Sequence, residues 1–174
     1  MKKGLITGIT GQDGAYLAKK LIEKNYKVYG TVRRGGSPKT QRLAKLGIIN
    51  KINFITLELT EFTNVFSTLR ELQPDYIYNL AAQSFVADSF IHPILTNNTN
   101  YMGLLNILES IKTLKLDCSL YQASTSEMFG DILENPQNEK TPFNPISPYA
   151  ISKLAAHYAV INYRESFDLN CSCG

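Results

Sequence analysis

The chain has 174 residues, of which 44% are hydrophobic and 19% charged, and its formal net charge is +3 at pH 7. This length and composition predict one folded domain with a full apolar core rather than a disordered chain. Basic residues form no run longer than a pair, which argues against a nucleic-acid-binding surface.

The three cysteines, Cys118, Cys171 and Cys173, are too few and too unevenly spaced for a disulfide scaffold or a four-ligand zinc site. We therefore expect reduced thiols, a cytoplasmic protein and no metal site. An apolar run of about 18 residues is missing, so the sequence predicts no membrane span.

Short β-like runs alternate with longer helical patterns along the chain. Strands are predicted at 5–7, 27–32, 53–57, 76–80 and 119–123, with a sixth at 171–174. Helices are predicted around 16–24, 65–72, 104–111 and 150–167, while the glycine- and proline-containing segments 33–42 and 131–148 begin or run as loops. The apolar stripe of the helix at 104–111 predicts a face that packs on the sheet.

This alternation predicts β-α-β crossovers, and hence a doubly wound parallel α/β sheet with helices on both faces. Ligands of such sheets bind at the carboxyl ends of the strands, where the strand order reverses.

A glycine-rich loop, G-x-x-G-x-x-G at residues 8–14, joins the first strand to the first helix. Glycines let the backbone approach a pyrophosphate, and the following helix N-terminus offers free N–H groups. The absence of a Gly-Lys-Ser/Thr continuation disfavours a phosphate-loop NTPase, so the loop predicts a dinucleotide site.

The second strand ends in Arg33 and Arg34, where NAD-binding domains usually carry an acidic residue. Guanidinium groups bind a 2′-phosphate through charge-assisted hydrogen bonds, whereas an acid would repel it. The pair therefore predicts NADP rather than NAD.

Tyr149 and Lys153 form a Y-x-x-x-K pair at the start of the last predicted helix. Their spacing puts both side chains on one helix face, and an ammonium favours the phenolate form of a neighbouring phenol. This pair predicts a tyrosine base near neutral pH. The second match to the pattern, Tyr16 with Lys20, lies on the first helix and is interpreted as accidental.

Hydroxyl and carboxylate side chains follow the fifth strand, at Thr125, Ser126 and Glu127. Taken alone, the hydroxyls would be typical of a helix or turn cap and the carboxylate of a solvated loop. Their position at a carboxyl-terminal strand end makes them candidate site residues.

These motifs resemble the extended short-chain dehydrogenase/reductase superfamily, and within it the GDP-mannose 4,6-dehydratase family. The resemblance covers nearly the whole chain. The matching segments are LITGITGQDG at 5–14, VRR at 32–34, YNLAAQS at 78–84, YQASTSE at 121–127, and SPY at 147–149 with Lys153.

The resemblance implies a redox-neutral lyase reaction that converts GDP-D-mannose to GDP-4-dehydro-6-deoxy-D-mannose by internal hydride transfer through NADP. Tyr149, assisted by Thr125 and Lys153, would deprotonate the C4 hydroxyl of the sugar. Glu127 would remove the C5 proton and help to eliminate water at C6. Reductases and epimerases of the superfamily need no such carboxylate.

The resemblance also implies a cofactor site made by the glycine loop, the ends of strands two and three, and the segment after strand four. Its residues are Gly8, Ile9, Thr10, Gly11, Gln12, Asp13, Gly14, Arg33, Arg34, Gly36, Glu58, Leu59, Leu80, Ala81, Ala82, Gln83, Ser84 and Lys153. Leu57-Glu58-Leu59 replaces the family's Gly-Asp-Leu, so Glu58 keeps an acceptor on a longer side chain.

Residues 1–174 are thus expected to form an NADP-binding Rossmann domain that carries the catalytic residues, with the family's C-terminal substrate domain absent from this chain. The full-length family implies a homo-oligomer, a GDP-sugar substrate, and no nucleic-acid or membrane partner. Three alternatives remain open: a dehydratase acting on another GDP-sugar such as a GDP-heptose, a 4-reductase, and an NADP-binding module without turnover.

Overall fold

A computed structural model describes residues 1–35 and 39–174. Within these residues, six parallel strands form one sheet in the order β3-β2-β1-β4-β5-β6. The strands are β1 (Lys3–Thr7), β2 (Lys27–Val32), β3 (Ile52–Thr56), β4 (Tyr76–Asn79), β5 (Ser119–Gln122) and β6 (Cys171–Cys173). The order reverses between β1 and β4, as in a doubly wound sheet.

Helices connect the strands as crossovers. They are α1 (Gln12–Glu23), α2 (Gln41–Lys45), α3 (Phe62–Leu72), α4 (Val86–Ile91), α5 (Pro93–Asn97), α6 (Gly103–Leu114) and α7 (Pro148–Phe167). A π-helical turn, Asn98–Met102, joins α5 to α6, and short 3₁₀ turns cover Ile49–Lys51 and Ser126–Phe129.

Two apolar clusters cover the two faces of the sheet, because neighbouring residues of a strand point to opposite faces. Leu5 and Ile77 pack with α3, α6 and α7 on one face, whereas Ile6 and Val28 pack with α1 and α2 on the other. On that second face, half-buried tyrosine rings lie in a row over β4 and β5.

The doubly wound α/β fold and its main elements confirm the sequence predictions, and all six predicted strands are present. The helices α2, α4 and α5 and the π-helical turn were missed, because each spans only five or six residues and too few turns to establish a helical period. The predicted core stripe is confirmed, since Leu104, Leu108 and Ile111 are buried in the α3–α6–α7 cluster.

In the part of the chain that the structure describes, no helix is long and apolar enough to cross a membrane. Among the same residues, no three His, Cys, Asp or Glu side chains are grouped so that they could hold a metal ion.

Replacing Leu108 with alanine tests the packing of α6 on the sheet. Leu108 has no exposed surface, so Leu108→Ala should lower the free energy of unfolding by about 2–5 kcal/mol in a denaturant titration. The control Leu133→Ala, at a residue that is 60% exposed, should change it by no more than about 0.5 kcal/mol. Equal effects of the two substitutions would contradict this packing.

Candidate functional site

The glycine loop turns tightly between β1 and the N-terminus of α1. Gly11 N donates to Gly8 O at 2.9 Å, and Gly11 is the N-cap of α1. A Cβ on Gly14 would lie 2.5 Å from Gly8 O, so only glycine permits this close approach of helix and loop. Because Gly11 has no side chain, the N–H groups of the first turn of α1 remain available to an anion.

The segment Leu80–Ser84 lies directly beside this loop. Thr7 Oγ1, at the end of β1, accepts hydrogen bonds from Leu80 N at 3.1 Å and Ala81 N at 3.0 Å. Gly8 has φ +69°, and a Cβ there would lie 2.9 Å from Ala81 N. The structure thus brings together the two longest segments of the cofactor site implied by the resemblance.

Arg33 and Arg34 are exposed where β2 ends. Arg34 N donates to Glu58 Oε1 at 2.6 Å, and the Arg34 guanidinium pairs with Glu61 at 3.2 Å. Both partners follow the neighbouring strand β3, so these charged groups share one edge of the sheet. Exposed ion pairs add little stability, which leaves the guanidinium free to exchange its partner for a ligand. Gly36, also implied as a cofactor residue, lies outside the described residues.

Two implied cofactor residues have side chains that point into the core. Leu59 and Ile9 are buried in the two apolar clusters. The Leu59 carbonyl also accepts a hydrogen bond from Asn106 Nδ2 at 2.7 Å. Any contact that these two residues make with a ligand must therefore come from the backbone.

The start of α7 is fixed by a helix cap that positions Tyr149. Ser147 is the N-cap and its Oγ accepts from Ala150 N at 3.0 Å, while Pro148 occupies the first helical position. Both residue types are favoured at these positions. Tyr149 follows immediately and is only 7% exposed.

Lys153 lies one turn further along α7 and is only 4% exposed. Its Nζ is 6.0 Å from the centre of the Tyr149 ring and donates to Ala123 O, just beyond β5, at 2.9 Å. Burial lowers the pKa of Lys153 from 10.5 to about 8, because an apolar surrounding disfavours the ammonium. A lysine with a pKa this close to neutrality is typical of functional sites.

A buried amide, Asn100, ties this helix to the segment after β4. Its Oδ1 accepts from Gln83 N at 2.8 Å, and its Nδ2 donates to Ser152 Oγ at 3.0 Å. Ser152 Oγ in turn donates to Tyr149 O at 2.7 Å. Sequence reasoning missed Asn100 and Ser152, although Ser152 is adjacent to Lys153 in the Y-x-x-x-K motif.

Gln83, which is hydrogen-bonded to Asn100, carries a side-chain hydrogen-bond acceptor that receives no donor from the described residues. Its Nε2 donates to Asp88 Oδ2 at 2.7 Å, whereas its Oε1 is buried and has no hydrogen-bond partner among residues 1–35 and 39–174. A buried acceptor without a donor is costly in a protein, so this atom is suited to receive a ligand.

Glu127 lies in the 3₁₀ turn Ser126–Phe129, which packs against α7. Thr125 is the N-cap of this turn, where its Oγ1 accepts from Glu127 N at 3.3 Å. The Glu127 side chain is exposed and lines a cavity of about 300 Å³. The other lining residues are Ser126, Gly130, Ile132, Gln137 and Ile146.

The segment 131–147 forms an irregular wall of this cavity, as the sequence predicted for an ordered loop. Asn144 N donates to Met128 O at 3.0 Å, and Phe143 packs edge-on against His157 of α7, with ring centres 5.4 Å apart. Gly130 has φ +54°, and a Cβ there would lie 1.7 Å from Asn144 O. The loop can therefore close next to Glu127 only because residue 130 is glycine.

All of these groups lie at the carboxyl ends of β1 to β5, which form a single edge of the sheet. Tyr16, of the second Y-x-x-x-K match, lies on α1 and is 60% exposed, in contrast to the buried Tyr149. This edge offers the glycine loop to an elongated anionic ligand. It also carries a phenol and a buried ammonium on α7, and a carboxylate on the 3₁₀ turn that packs against that helix.

A doubly wound sheet with a glycine loop after β1 and a Y-x-x-x-K helix defines an α/β protein of the short-chain dehydrogenase/reductase type. Comparison with protein families then identifies the group: residues 5–174 match the GDP-mannose 4,6 dehydratase model, and the chain belongs to that family.

Curated relatives agree with this assignment. A GDP-mannose 4,6-dehydratase from Vibrio cholerae is 47% identical over 175 residues, which cover 97% of this chain and 47% of the relative. The chain thus spans about half the length of the curated relatives it matches.

Solved structures share the fold. UDP-glucose 4-epimerase from Thermotoga maritima, solved with UDP-glucose, has a TM-score of 0.87 at 25% identity, over 98% of this chain and 54% of the other. The Thermus thermophilus UDP-glucose 4-epimerase complex with NAD has a TM-score of 0.85 at 26% identity, over 98% and 53%.

Replacing Gly130 with alanine tests the loop closure. The new Cβ would overlap Asn144 O, so Gly130→Ala should destabilise the chain by at least about 2 kcal/mol and speed proteolysis within 131–147. The matched control is Gly47→Ala, because Gly47 has φ +69° with nothing within 4 Å of the added Cβ. That change should cost only about 1–2 kcal/mol of backbone strain. Unaltered proteolysis of 131–147 in Gly130→Ala would show that the loop closes differently.

Proposed function

We propose that the protein is an NADP-dependent nucleotide-sugar 4,6-dehydratase that converts GDP-D-mannose to GDP-4-dehydro-6-deoxy-D-mannose. The observation that carries the proposal is the position of Glu127 on a turn that packs against the helix of Tyr149 and Lys153. A second acid–base group beside the tyrosine–lysine pair is what elimination of water requires. The 47% identical Vibrio cholerae relative supports the same reaction.

The residues at the carboxyl edge of the sheet fit a dinucleotide. A Cβ at Gly8 or Gly14 would collide with neighbouring backbone, so the loop is kept tight, and the N-terminus of α1 begins directly after it. The backbone of Gly11 to Gly14 would hold the pyrophosphate, Glu58 the adenosine portion, and Leu80–Ser84 the nicotinamide half. The Thermus thermophilus epimerase, which is a complex with NAD, supports a nicotinamide cofactor at this edge.

Arg33 and Arg34 supply the preference for NADP in this proposal. They are exposed at the end of β2, where the 2′-position of the adenosine ribose is bound in this fold. Exchange of the guanidinium of Arg34 from Glu61 to a phosphate would replace one charge-assisted bond by a stronger one, since a phosphate carries more charge.

When bound, the nicotinamide would accept the hydride from C4 of the hexose and return it to C6. Tyr149 would take the proton from the C4 hydroxyl, with Thr125 donating a hydrogen bond to the same oxygen. The ammonium of Lys153 would stabilise the phenolate that this role requires. Its low exposure strengthens that electrostatic effect, because little water screens it.

Glu127 would act after C4 has become a carbonyl, which makes the C5 proton acidic. Its carboxylate would remove that proton, and the resulting carboxylic acid would protonate the departing C6 hydroxyl. The exposed position of Glu127 at the cavity of about 300 Å³ gives it access to a sugar placed there.

In this proposal residues 1–174 form the NADP-binding domain that carries the catalytic residues. We also propose a homo-oligomer for the whole protein, supported by large exposed apolar residues on neighbouring helices. These are Ile94, Leu95, Met102, Ile151 and Tyr158. A cytoplasmic location is supported by Cys118, Cys171 and Cys173, which are free thiols.

The proposed reaction is tested with GDP-D-mannose that carries deuterium at C4. The chain, incubated with this substrate and NADP⁺, should give a 4-keto-6-deoxy product with deuterium on C6, observed by NMR. Formation of the C4 epimer of the substrate would instead indicate an epimerase. A chain that leaves GDP-D-mannose unchanged but reduces a supplied 4-keto-6-deoxy GDP-sugar with NADPH would be a reductase. Binding of NADP⁺ without any product would indicate a binding module.

The role of Glu127 is tested by Glu127→Gln in the same experiment. The variant should form reduced nicotinamide in a single turnover but lose product formation by about 10²–10⁴-fold, because the amide cannot take up the C5 proton. Glu139→Gln, a change in the exposed part of the neighbouring loop, is the matched control and should retain activity. A Glu127→Gln variant with normal dehydration would remove Glu127 from the mechanism.

The cofactor preference is tested by Arg33→Ser and Arg34→Ser with calorimetry. Each variant should bind NADP⁺ about 10–100-fold more weakly, while its affinity for NAD⁺ should stay nearly constant, because only the 2′-phosphate contact is lost. Arg70→Ser, at an exposed arginine near the end of α3, is the control. An equal loss of affinity for both cofactors would contradict the assignment.

A further inference from the structure

Three polar side chains lie buried in a row across the carboxyl ends of three adjacent strands. Thr7 is 0% exposed, and Asn79 and Gln122 are each 2% exposed. They are the last residues of β1, β4 and β5, and the parallel register pairs Thr7 with Asn79 and Asn79 with Gln122. Buried polar groups are retained at a cost unless they are hydrogen-bonded, so their arrangement needs an explanation.

The row forms a chain of hydrogen bonds with one direction. Thr7 Oγ1 donates to Asn79 Oδ1 at 2.6 Å, and Asn79 Nδ2 donates to Gln122 Oε1 at 2.7 Å. Gln122 Nε2 then donates to Ala123 O at 2.9 Å. Each amide thus accepts from the side of β1, and the last donor reaches the backbone just after β5.

The direction is set at the Thr7 end by the backbone after β4. Thr7 Oγ1 already accepts from Leu80 N and Ala81 N, so its single hydrogen is left for Asn79 Oδ1. Reversing either amide would bring two oxygens, or two N–H groups, face to face in a buried place. The orientation fixed at Leu80 and Ala81 is therefore transmitted to Ala123.

The other end of the row is the acceptor of the buried ammonium. Ala123 O accepts hydrogen bonds from Gln122 Nε2 and from Lys153 Nζ, each at 2.9 Å. The titratable groups that face Lys153 are the Tyr149 ring on its own helix and the Cys173 thiol of β6. The Ala123 carbonyl is a neutral group that accepts a hydrogen bond from its ammonium.

We propose that Thr7, Asn79 and Gln122 are positioning residues that orient the Ala123 carbonyl toward Lys153 and couple it to the segment Leu80–Ser84. The inference rests on the proposed function insofar as Lys153 belongs to the catalytic group. The proposed effect can be measured without turnover. The Ala123 carbonyl stabilises the charged form of Lys153, and a change at Thr7 alters that stabilisation through the side chains of Asn79 and Gln122.

Thr7→Val removes the hydroxyl and keeps the shape of the side chain. Titration of the chain labelled with ¹³C-lysine, followed by NMR, gives the pKa of Lys153, whose signal is identified by its loss in Lys153→Arg. Wild-type Lys153 should titrate at about 8. Because a misdirected carbonyl no longer stabilises the ammonium, Thr7→Val should lower this pKa by about one unit.

Two matched variants separate this effect from a general loss of packing. Thr7→Ser keeps the hydroxyl and should restore the wild-type titration. Thr31→Val makes the same substitution at a buried threonine of β2 and should leave the titration unchanged. A folded Thr7→Val chain whose Lys153 titrates like the wild type would overturn the proposal.

A second variant should shift the pKa of Lys153 in the opposite direction. Gln122→Glu keeps an acceptor for Asn79 Nδ2, removes the N–H donor to Ala123 O, and puts a negative charge next to the carbonyl that accepts a hydrogen bond from Lys153 Nζ. It should raise the pKa of Lys153 by about one unit or more, because an opposite charge favours the charged form. An unchanged or lowered pKa would contradict the geometry.

A further test uses the wild-type chain and therefore does not depend on whether a variant folds. Side-chain amide hydrogens of Asn79 and Gln122 should exchange with solvent far more slowly than those of Gln137, which is exposed. Exchange of all three at similar rates would overturn the proposal. Since none of these measurements requires cofactor binding or catalysis, their outcome is separate from that of the proposed dehydratase reaction.

Discussion

Lys153 keeps a positive charge almost wholly out of solvent, and its Nζ donates a hydrogen bond to a backbone carbonyl, Ala123 O, at an N···O distance of 2.9 Å. That bond requires α7 to lie against the end of β5, with Tyr149 one turn before the lysine. It also requires the Ala123 carbonyl to face Lys153, and Gln122 Nε2 at the end of β5 donates to the same oxygen. The cost of burying the ammonium is visible in its pKa, lowered to about 8.

Close backbone contacts impose the second constraint on the site. Gly8, Gly14 and Gly30 each lie where a Cβ would come within 3 Å of another atom, so β1, α1 and the segment after β4 approach each other more closely than other residues allow. This closeness keeps the start of α1 and the segment after β4 in contact with the glycine loop. The same edge then carries both the anion-binding loop and the acid–base groups, because the carboxyl ends of parallel strands all point the same way.

Patterns that span several turns or several strands could be predicted from the sequence. The alternation of strands and helices gave the doubly wound sheet, and the spacing of Tyr149 and Lys153 correctly placed them on one face of α7. Short helices such as α4 could not be predicted, since six residues carry too little periodicity.

The polar side chains that connect the site were missed for a different reason. Thr7, Asn79 and Gln122 are far apart in sequence, and only the register of three strands brings them together. Asn100 is likewise tied to Gln83 and Ser152 by tertiary contacts alone. A polar residue at the end of each of several predicted strands is the sequence signal that could have indicated the row.

We propose that the glycine loop, the segment after β4 and the surroundings of Lys153 form one dinucleotide site. Adding NADP⁺ to the ¹⁵N-labelled chain and following backbone amide shifts tests this claim most directly. The amides of Gly11–Gly14, of Leu80–Ser84 and of Ala123 should shift together with one apparent affinity. Shifts confined to the opposite edge of the sheet, around Asp75 and Asp117, or no shifts at all, would contradict the account.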